Sequence, residues 1–377
     1  MNIEYERQIY WIWLTLKSAL NPITLDRLLE VYHTPENIYN QTDFSKCGFL
    51  SKRGEEQLSD KSLDQAKMTV DKVEKMGGYI LTYDDEEYPP LLKKIYSPPY
   101  VLYLMGQHLK WDELLTITVV GTRKYSSYGK KVTETITKEL SSMGATVVSG
   151  MARGIDSIAG CAAIRAGGKT IAVLGSGIDV IYPTEHKSLY NAIMKNGVVM
   201  TEFPPGTKPY KQNFPRRNRI MAGLSYGVLV SQAPRRSGAL ITAAHAIENN
   251  RDVFAVPGSI FDEEQAGANI LIQMGAKSVM TAKDILDEFP YIKVEPLERE
   301  CNIVTERMVR DKMSEIDLEK LDDVQKKIVK LLVNGALYSD EIIEHLDMAA
   351  GAVNPAVIML EISGIIKKNS DNKYELA

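Results

Sequence analysis

Six short apolar runs, most of them rich in β-branched residues, recur through the middle of the chain, at 117–120, 145–148, 170–174, 198–200, 227–230 and 253–256. Most end in a turn signal: Gly121, Ser149-Gly150, Gly175-Ser176-Gly177, Glu202-Phe203-Pro204-Pro205 and Pro257-Gly258. Helix-like stretches separate them. Near-continuous apolar strands alternating with helices predict an α/β unit whose parallel sheet is covered on both faces. Ligands of such sheets bind outside the carboxyl ends of the strands, where these turns fall.

Residues 1–75 follow a different period. Ile9, Trp13, Leu16 and Leu20, then Leu25, Leu28 and Leu29, recur at helical spacing, with Asn21-Pro22 as a break. They predict a small helical domain. A sheet domain over 76–288 follows, its first part, to about residue 110, read as extended connecting structure around Tyr88-Pro89-Pro90 and Ser97-Pro98-Pro99. An acidic linker at 289–320 leads to a third region. There Val324, Ile328, Leu331 and Leu332 start a helix, Ser339 and Asn354-Pro355 each start another, and Gly364 closes the last. Ile365 to Lys368, a polar turn and Lys373 to Leu376 then form a hairpin, so 321–377 predicts a winged-helix module.

A length of 377 residues requires more than one domain, and 44% hydrophobic with 25% charged residues is ordinary for a soluble protein. No apolar run approaches the roughly 18 residues of a membrane span, and Met1 to Arg7 lacks the basic-then-apolar order of a signal peptide. Cys47, Cys161 and Cys301 are too dispersed for a disulfide framework, and the five histidines are scattered. A cytoplasmic protein with no metal and no cofactor is expected.

Charge changes this picture more than composition does. Net charge is −4, yet 287–323 holds twelve acidic and six basic residues, which leaves the rest of the chain positive. Between Glu202 and Glu248 no carboxylate occurs in 45 residues, while Lys208, Lys211, Arg216, Arg217, Arg219, Arg235 and Arg236 all do. A merely solvated face intersperses both signs. This stretch, placed in two strand-end loops, combines ammonium and guanidinium groups with the Phe214 ring, a combination suited to gripping phosphates and stacking a base.

The loop Gly121-Thr122-Arg123 to Gly129 offers backbone N–H groups, hydroxyls and a guanidinium to a phosphate. Ser149-Gly150-Met151-Ala152-Arg153-Gly154-Ile155-Asp156 ends the second strand in the same way, and Arg153 is read as an ion partner of Asp156 in preference to a second phosphate contact. Gly167-Gly168-Lys169-Thr170 fails as a Walker A loop because Ala163 holds the first glycine position, and Gly175-Ser176-Gly177 fails as a dinucleotide fingerprint at Val180. No catalytic triad or carboxylate pair stands out. A non-enzymatic binder is expected. The alternative is a nucleotide or nucleoside-phosphate hydrolase, although seven cations over 29 residues exceed what one nucleotide needs.

Taken together, Gly121-Thr122-Arg123, Ser149 to Asp156, Gly168 to Asp179, Phe214 to Arg219 and Ser237 to Ala243 resemble the motifs of the DNA-processing protein A (DprA, or Smf) family over roughly residues 80–285. The resemblance implies an extended Rossmann-like fold, a sterile-alpha-motif-like (SAM-like) N-terminal domain and no catalytic turnover. It implies binding and protection of incoming single-stranded DNA during natural transformation, and loading of the RecA recombinase. Carried over by motif, Gly121, Arg123, Ser149, Gly150, Lys211 and Phe214 are expected DNA-binding residues, with Arg217 and Arg219 as neighbours. A homodimer through the sheet's edge is also implied, and Ile270, Leu271 and Met274, at helical spacing, are its candidate interface. The N-terminal region lacks the Gly-x-Gly hairpin of duplex binders. Pro355 to Ile362, the would-be recognition helix, has no basic or amide side chain, so the winged helix is expected to contact protein.

Overall fold

The structure is a computed structural model and describes residues 3–45, 47–292, 294, 296, 321–332, 337–346, 348–368 and 373–376. The chain divides into two compact units, the first ending at Glu298.

In the first unit nine strands form one sheet in the order β1-β2-β6-β5-β4-β3-β7-β8-β9. The six apolar runs are its interior: β3 (Thr116–Val120), β4 (Thr146–Ser149), β5 (Thr170–Val173), β6 (Gly197–Thr201), β7 (Gly227–Val230) and β8 (Asp252–Ala255). Neighbours among them pair in parallel. The sheet is not wholly parallel, however. β1 (Tyr79–Thr82) and β2 (Val101–Gly106) pair antiparallel, and β2 pairs antiparallel with β6. These strands lie in the stretch read as connecting structure, where two Pro-Pro pairs interrupt the apolar pattern. A two-residue β9 (Lys277–Ser278) closes the far edge.

Alternation along β3 shows how both faces are filled. Ile117 and Val119 pack with Ile136 and Leu140 of α7 (Ser127–Ser142) and Ala159 of α8 (Ile155–Arg165). Val120 packs on the opposite face with Ile220, Met221, Ala239 and Ala243. Thr118 faces that side too, and its buried hydroxyl donates to the Met221 carbonyl at 2.8 Å.

The N-terminal region forms five helices, α1 (Ile3–Thr15), α2 (Pro22–Tyr32), α3 (Pro35–Asn40), α4 (Lys52–Ser59) and α5 (Asp64–Lys75). In α1 not only Ile9 and Trp13 but also Trp11, Ile12 and Leu14 are buried, because the second half of the helix is enclosed on all sides. Its indoles keep their hydrogen bonds: Trp11 donates to Asp84 at 2.7 Å and Trp13 to the Asp60 carbonyl at 3.0 Å. These residues share one core with Tyr100, Tyr103, Ile178 and Tyr190 of the sheet region, so packing shows no break at residue 75. At the other end Phe289 is buried against Phe254, which carries the unit past residue 288. Most of the expected 289–320 linker, Cys301 included, lies outside the described residues.

The second unit contains α14 (Asp323–Leu332), α15 (Ser339–Leu346), α16 (Ala350–Ile362) and an antiparallel pair, β10 (Ile366–Lys368) with β11 (Tyr374–Leu376). The polar turn expected at 369–372 falls outside the described residues. The last helix starts at Ala350 and encloses Pro355, contrary to the expected start at Asn354. Asn354 caps nothing there, since its side-chain oxygen instead accepts from the Ser339 hydroxyl at 3.1 Å.

The proposed dimer residues separate by environment. On α12 (Ala266–Gln273) Leu271 is 7% exposed and belongs to the core, Ile270 is half-buried, and Met274, at the helix end, is 73% exposed. Leu271 is thus corrected from an interface residue to a core residue, because the helix turns it toward the sheet. Leu271→Ala should lower unfolding free energy by about 2–5 kcal/mol, whereas Met274→Asp should change it by no more than about 0.5 kcal/mol. Denaturant melts of both variants check this, and equal losses would contradict the assignment.

Candidate nucleic-acid interface

β3 lies between β4 and β7, so the loops leaving β3 and β7 diverge at a switch point of the sheet. A crevice of about 290 Å³ opens there, lined among others by Thr122, Arg123, Phe214, Arg217, Arg236 and Ser237. The first turns of α8, α10 (Asn213–Leu224) and α11 (Gly238–Glu248) also line it, and the positive ends of their helix dipoles favour an anion. The two flanking loops are tied together. Thr122 N–H donates to the Gln232 carbonyl at 2.7 Å, and the Gln232 side chain accepts from Ser126 N–H at 2.9 Å.

The basic segment is not wholly loop, as its sequence reading had it. Residues 213–224 form α10, with Pro215 in the first turn. That position tolerates proline because its N–H has no helical partner to lose. A helical period then sorts the cations. Phe214, Arg217, Asn218 and Met221 share the face that lines the crevice. Arg216 and Arg219, three apart, turn to the other side and pair with Glu202, Arg219 closely and Arg216 at 3.7 Å.

Arg217 is 3% exposed, and its guanidinium donates to the carbonyls of Val173 and, at 2.7 Å, Gly150. Gly150 must be glycine, since an added Cβ would lie 2.1 Å from Arg217 Nη1. Burial lowers the Arg217 pKa to about 10, with Asp156 opposing the shift, so the group stays charged at neutral pH. Burial likewise pushes the Asp156 carboxyl up, against the pull of Arg217. Arg153, expected to pair with Asp156, instead reaches Glu185 at 2.5 Å, because Asp156 is buried while Arg153 points to solvent. Ser149 is buried too, donating to the Val119 carbonyl at 3.0 Å. Of the expected DNA-binding residues, Ser149, Gly150 and Arg217 therefore form the floor of the site, and Arg219 is committed to Glu202.

What remains accessible is a ring surrounded by cations. Phe214 is half-buried, with the Arg123 guanidinium carbon 5.7 Å and that of Arg217 5.9 Å from its centroid. Tyr182, which the sequence reading did not single out, tilts against Phe214 at 5.7 Å. Arg123, Lys124, Lys208, Lys211, Arg235 and Arg236 are exposed, and among the described residues none has a carboxylate within ion-pair distance. Exposed Tyr125 and Tyr210 stand among them. Aromatic residues interleaved with glycine and lysine in strand-end loops are the sequence signal that could have identified all three tyrosines.

Replacing Arg217 by Met should destabilise the fold by about 2–5 kcal/mol, because two buried carbonyls lose their donor and the buried Asp156 carboxyl loses a nearby positive charge. Arg123→Ala should leave the melting temperature unchanged within error. Comparable melts for the two variants would contradict the division into floor and rim.

The family model described as DNA recombination-mediator protein A matches residues 79–290. Protein Smf of Synechocystis sp. is 33% identical over 98% of both chains. The crystal structure of DNA processing protein A from Streptococcus pneumoniae is 37% identical, with a TM-score of 0.65, covering 74% of this chain and 98% of its own. DNA processing protein A from Helicobacter pylori, described for its single-stranded DNA binding mode, is 30% identical with a TM-score of 0.51 over 56% of this chain and 94% of its own. With the matched region spanning the whole parallel sheet and the crevice at its switch point, the chain belongs to the DNA recombination-mediator protein A family.

Proposed function

We propose that the chain binds single-stranded DNA across the carboxyl ends of its parallel strands, protects it, and loads a RecA recombinase on it during natural transformation. The observation that carries this reading is the set of exposed, unpaired cations around the half-buried Phe214 ring. Lys208, Lys211 and Arg235 lie outside the lining of the crevice, so the cationic surface exceeds what one phosphate occupies. That extent favours a polynucleotide over the substrate of a nucleotide hydrolase, and a binding role without turnover. The Helicobacter pylori relative supports the preference for single strands.

The remaining parts of the reading rest on the family resemblance. Among the described residues, five N-terminal helices are consistent with a SAM-like region, and three helices with an antiparallel strand pair support a winged helix in the second unit. On its last helix Ile358, Met359 and Ile362 are exposed without a basic neighbour on that face, which favours a protein contact. A homodimer through the edge carrying Ile270 and Met274 is part of the proposal. Among the described residues no helix is long and apolar enough to cross a membrane. A cytoplasmic location is proposed because both partners are found there.

Gel-shift titration should show far tighter binding to single-stranded than to duplex oligonucleotides, and equal affinities would refute the reading. Lys211→Ala should flatten the dependence of log affinity on log salt by roughly 0.7, as for one lost phosphate contact. Phe214→Ala should weaken binding by roughly 1–3 kcal/mol with the salt slope unchanged, because stacking releases no counterion. A Phe214→Ala variant that melts early yet binds normally when folded would make the ring a core residue only. Recombinase loading predicts faster RecA filament assembly on strands precoated with single-strand-binding protein.

A further inference from the structure

The loop at 202–212 carries exposed Lys208, Tyr210 and Lys211, and little apolar packing holds its tip. Its shape is held by hydrogen bonds to the turn that follows β5. Gly177 N–H donates to the Thr207 carbonyl at 2.8 Å, and Gly206 N–H donates to Asp179 Oδ1 at 2.6 Å. Asn213 Nδ2 closes the base, donating to the Gly175 carbonyl at 3.1 Å. Gly206 has φ +88°, a left-handed conformation suited to glycine, which turns its N–H toward the carboxylate.

The other oxygen of Asp179 accepts from Lys72 Nζ at 2.6 Å. Lys72 lies on α5, among the N-terminal helices. The Asp179 side chain is 20% exposed and that of Lys72 48%. Burial works against ionisation of Asp179, but the Lys72 hydrogen bond and the Gly206 N–H outweigh it and hold the carboxyl below the usual range. A carboxylate beside a polyanion site repels the ligand, so electrostatics alone gives no reason for one there.

We propose that Asp179 is a positioning residue for strand binding: it clamps the Gly206 turn, and with it Lys208 and Lys211, while Lys72 of the N-terminal helices holds the carboxylate in its orientation. The N-terminal helices thereby contribute to DNA affinity without touching DNA. This rests on the single-strand reading of the site.

The sign of the effect tests it. If Asp179 acts only through its charge, Asp179→Asn removes a repulsion and tightens binding. If it positions the loop, the same change weakens single-strand affinity by about three- to tenfold, as for a lost charge-assisted hydrogen bond. Lys72→Ala should weaken affinity about two- to fivefold with the salt slope unchanged, and Lys72→Arg should restore it. The double variant should be no weaker than Asp179→Asn alone, because the two act through one contact. Titrations on full-length protein at several salt concentrations, each with a thermal melt, read all of these. Should Asp179→Asn melt early, Lys72→Ala, at a half-exposed side chain, carries the test. Equal or tighter binding by folded Asp179→Asn overturns the proposal, as does a Lys72→Ala slope reduced by about 0.7, which would make Lys72 a direct phosphate contact. A native protein that fails to bind single strands overturns the reading of the site itself, and this proposal with it.

Discussion

A guanidinium placed in the interior must have its donors satisfied there, and around Arg217 that requirement organises the carboxyl ends of the central strands. Its two carbonyl acceptors come from the loop after β4 and the last residue of β5, so one side chain spans two strand ends. Its ε nitrogen donates to Asn218 at 3.1 Å, and Asn218 in turn donates to the Gly238 carbonyl at 3.2 Å, at the start of α11. A side chain three residues after Phe214 therefore settles the depth of α10 in the sheet, and with it the height of the Phe214 ring. Gly150 leaves the space that the guanidinium occupies.

The same helix divides labour among chemically similar residues. Arg216, Arg217 and Arg219 stand within four positions of one another, yet one is a buried brace and two turn to Glu202. The cations left free sit on loops: Arg123 after β3, Lys208 and Lys211 before α10, Arg235 and Arg236 after β7. Loops can present long flexible side chains to solvent because no packed face competes for them. Rigid elements beneath them supply position, and the loops supply charge.

This division gives the N-terminal helices a place in the architecture. They share a core with the antiparallel edge of the sheet, and α5 reaches the turn after β5 through Lys72 and Asp179. The basic loop is thus held from below by the sheet and from the side by a helix more than a hundred residues earlier in the chain. Its tip remains exposed for a ligand.

Local pattern determined much of this protein. The six interior strands, the parallel core, the helical beginning, the helix-then-hairpin end and the acid-free segment all follow from period, turn residues and charge read over short windows. The antiparallel edge escaped because Pro-Pro pairs mask β1 and β2, and α10 escaped because a first-turn proline reads as a breaker. Only tertiary structure decided which cations are free. Arg217 meets Gly150, Arg219 meets Glu202, Arg153 meets Glu185 and Lys72 meets Asp179, contacts that span 17 to 107 positions. Residue type and spacing carry no information about such partners, because burial and pairing are set where separate elements converge, and an arginine that grips DNA has the same local sequence signal as one that braces a core.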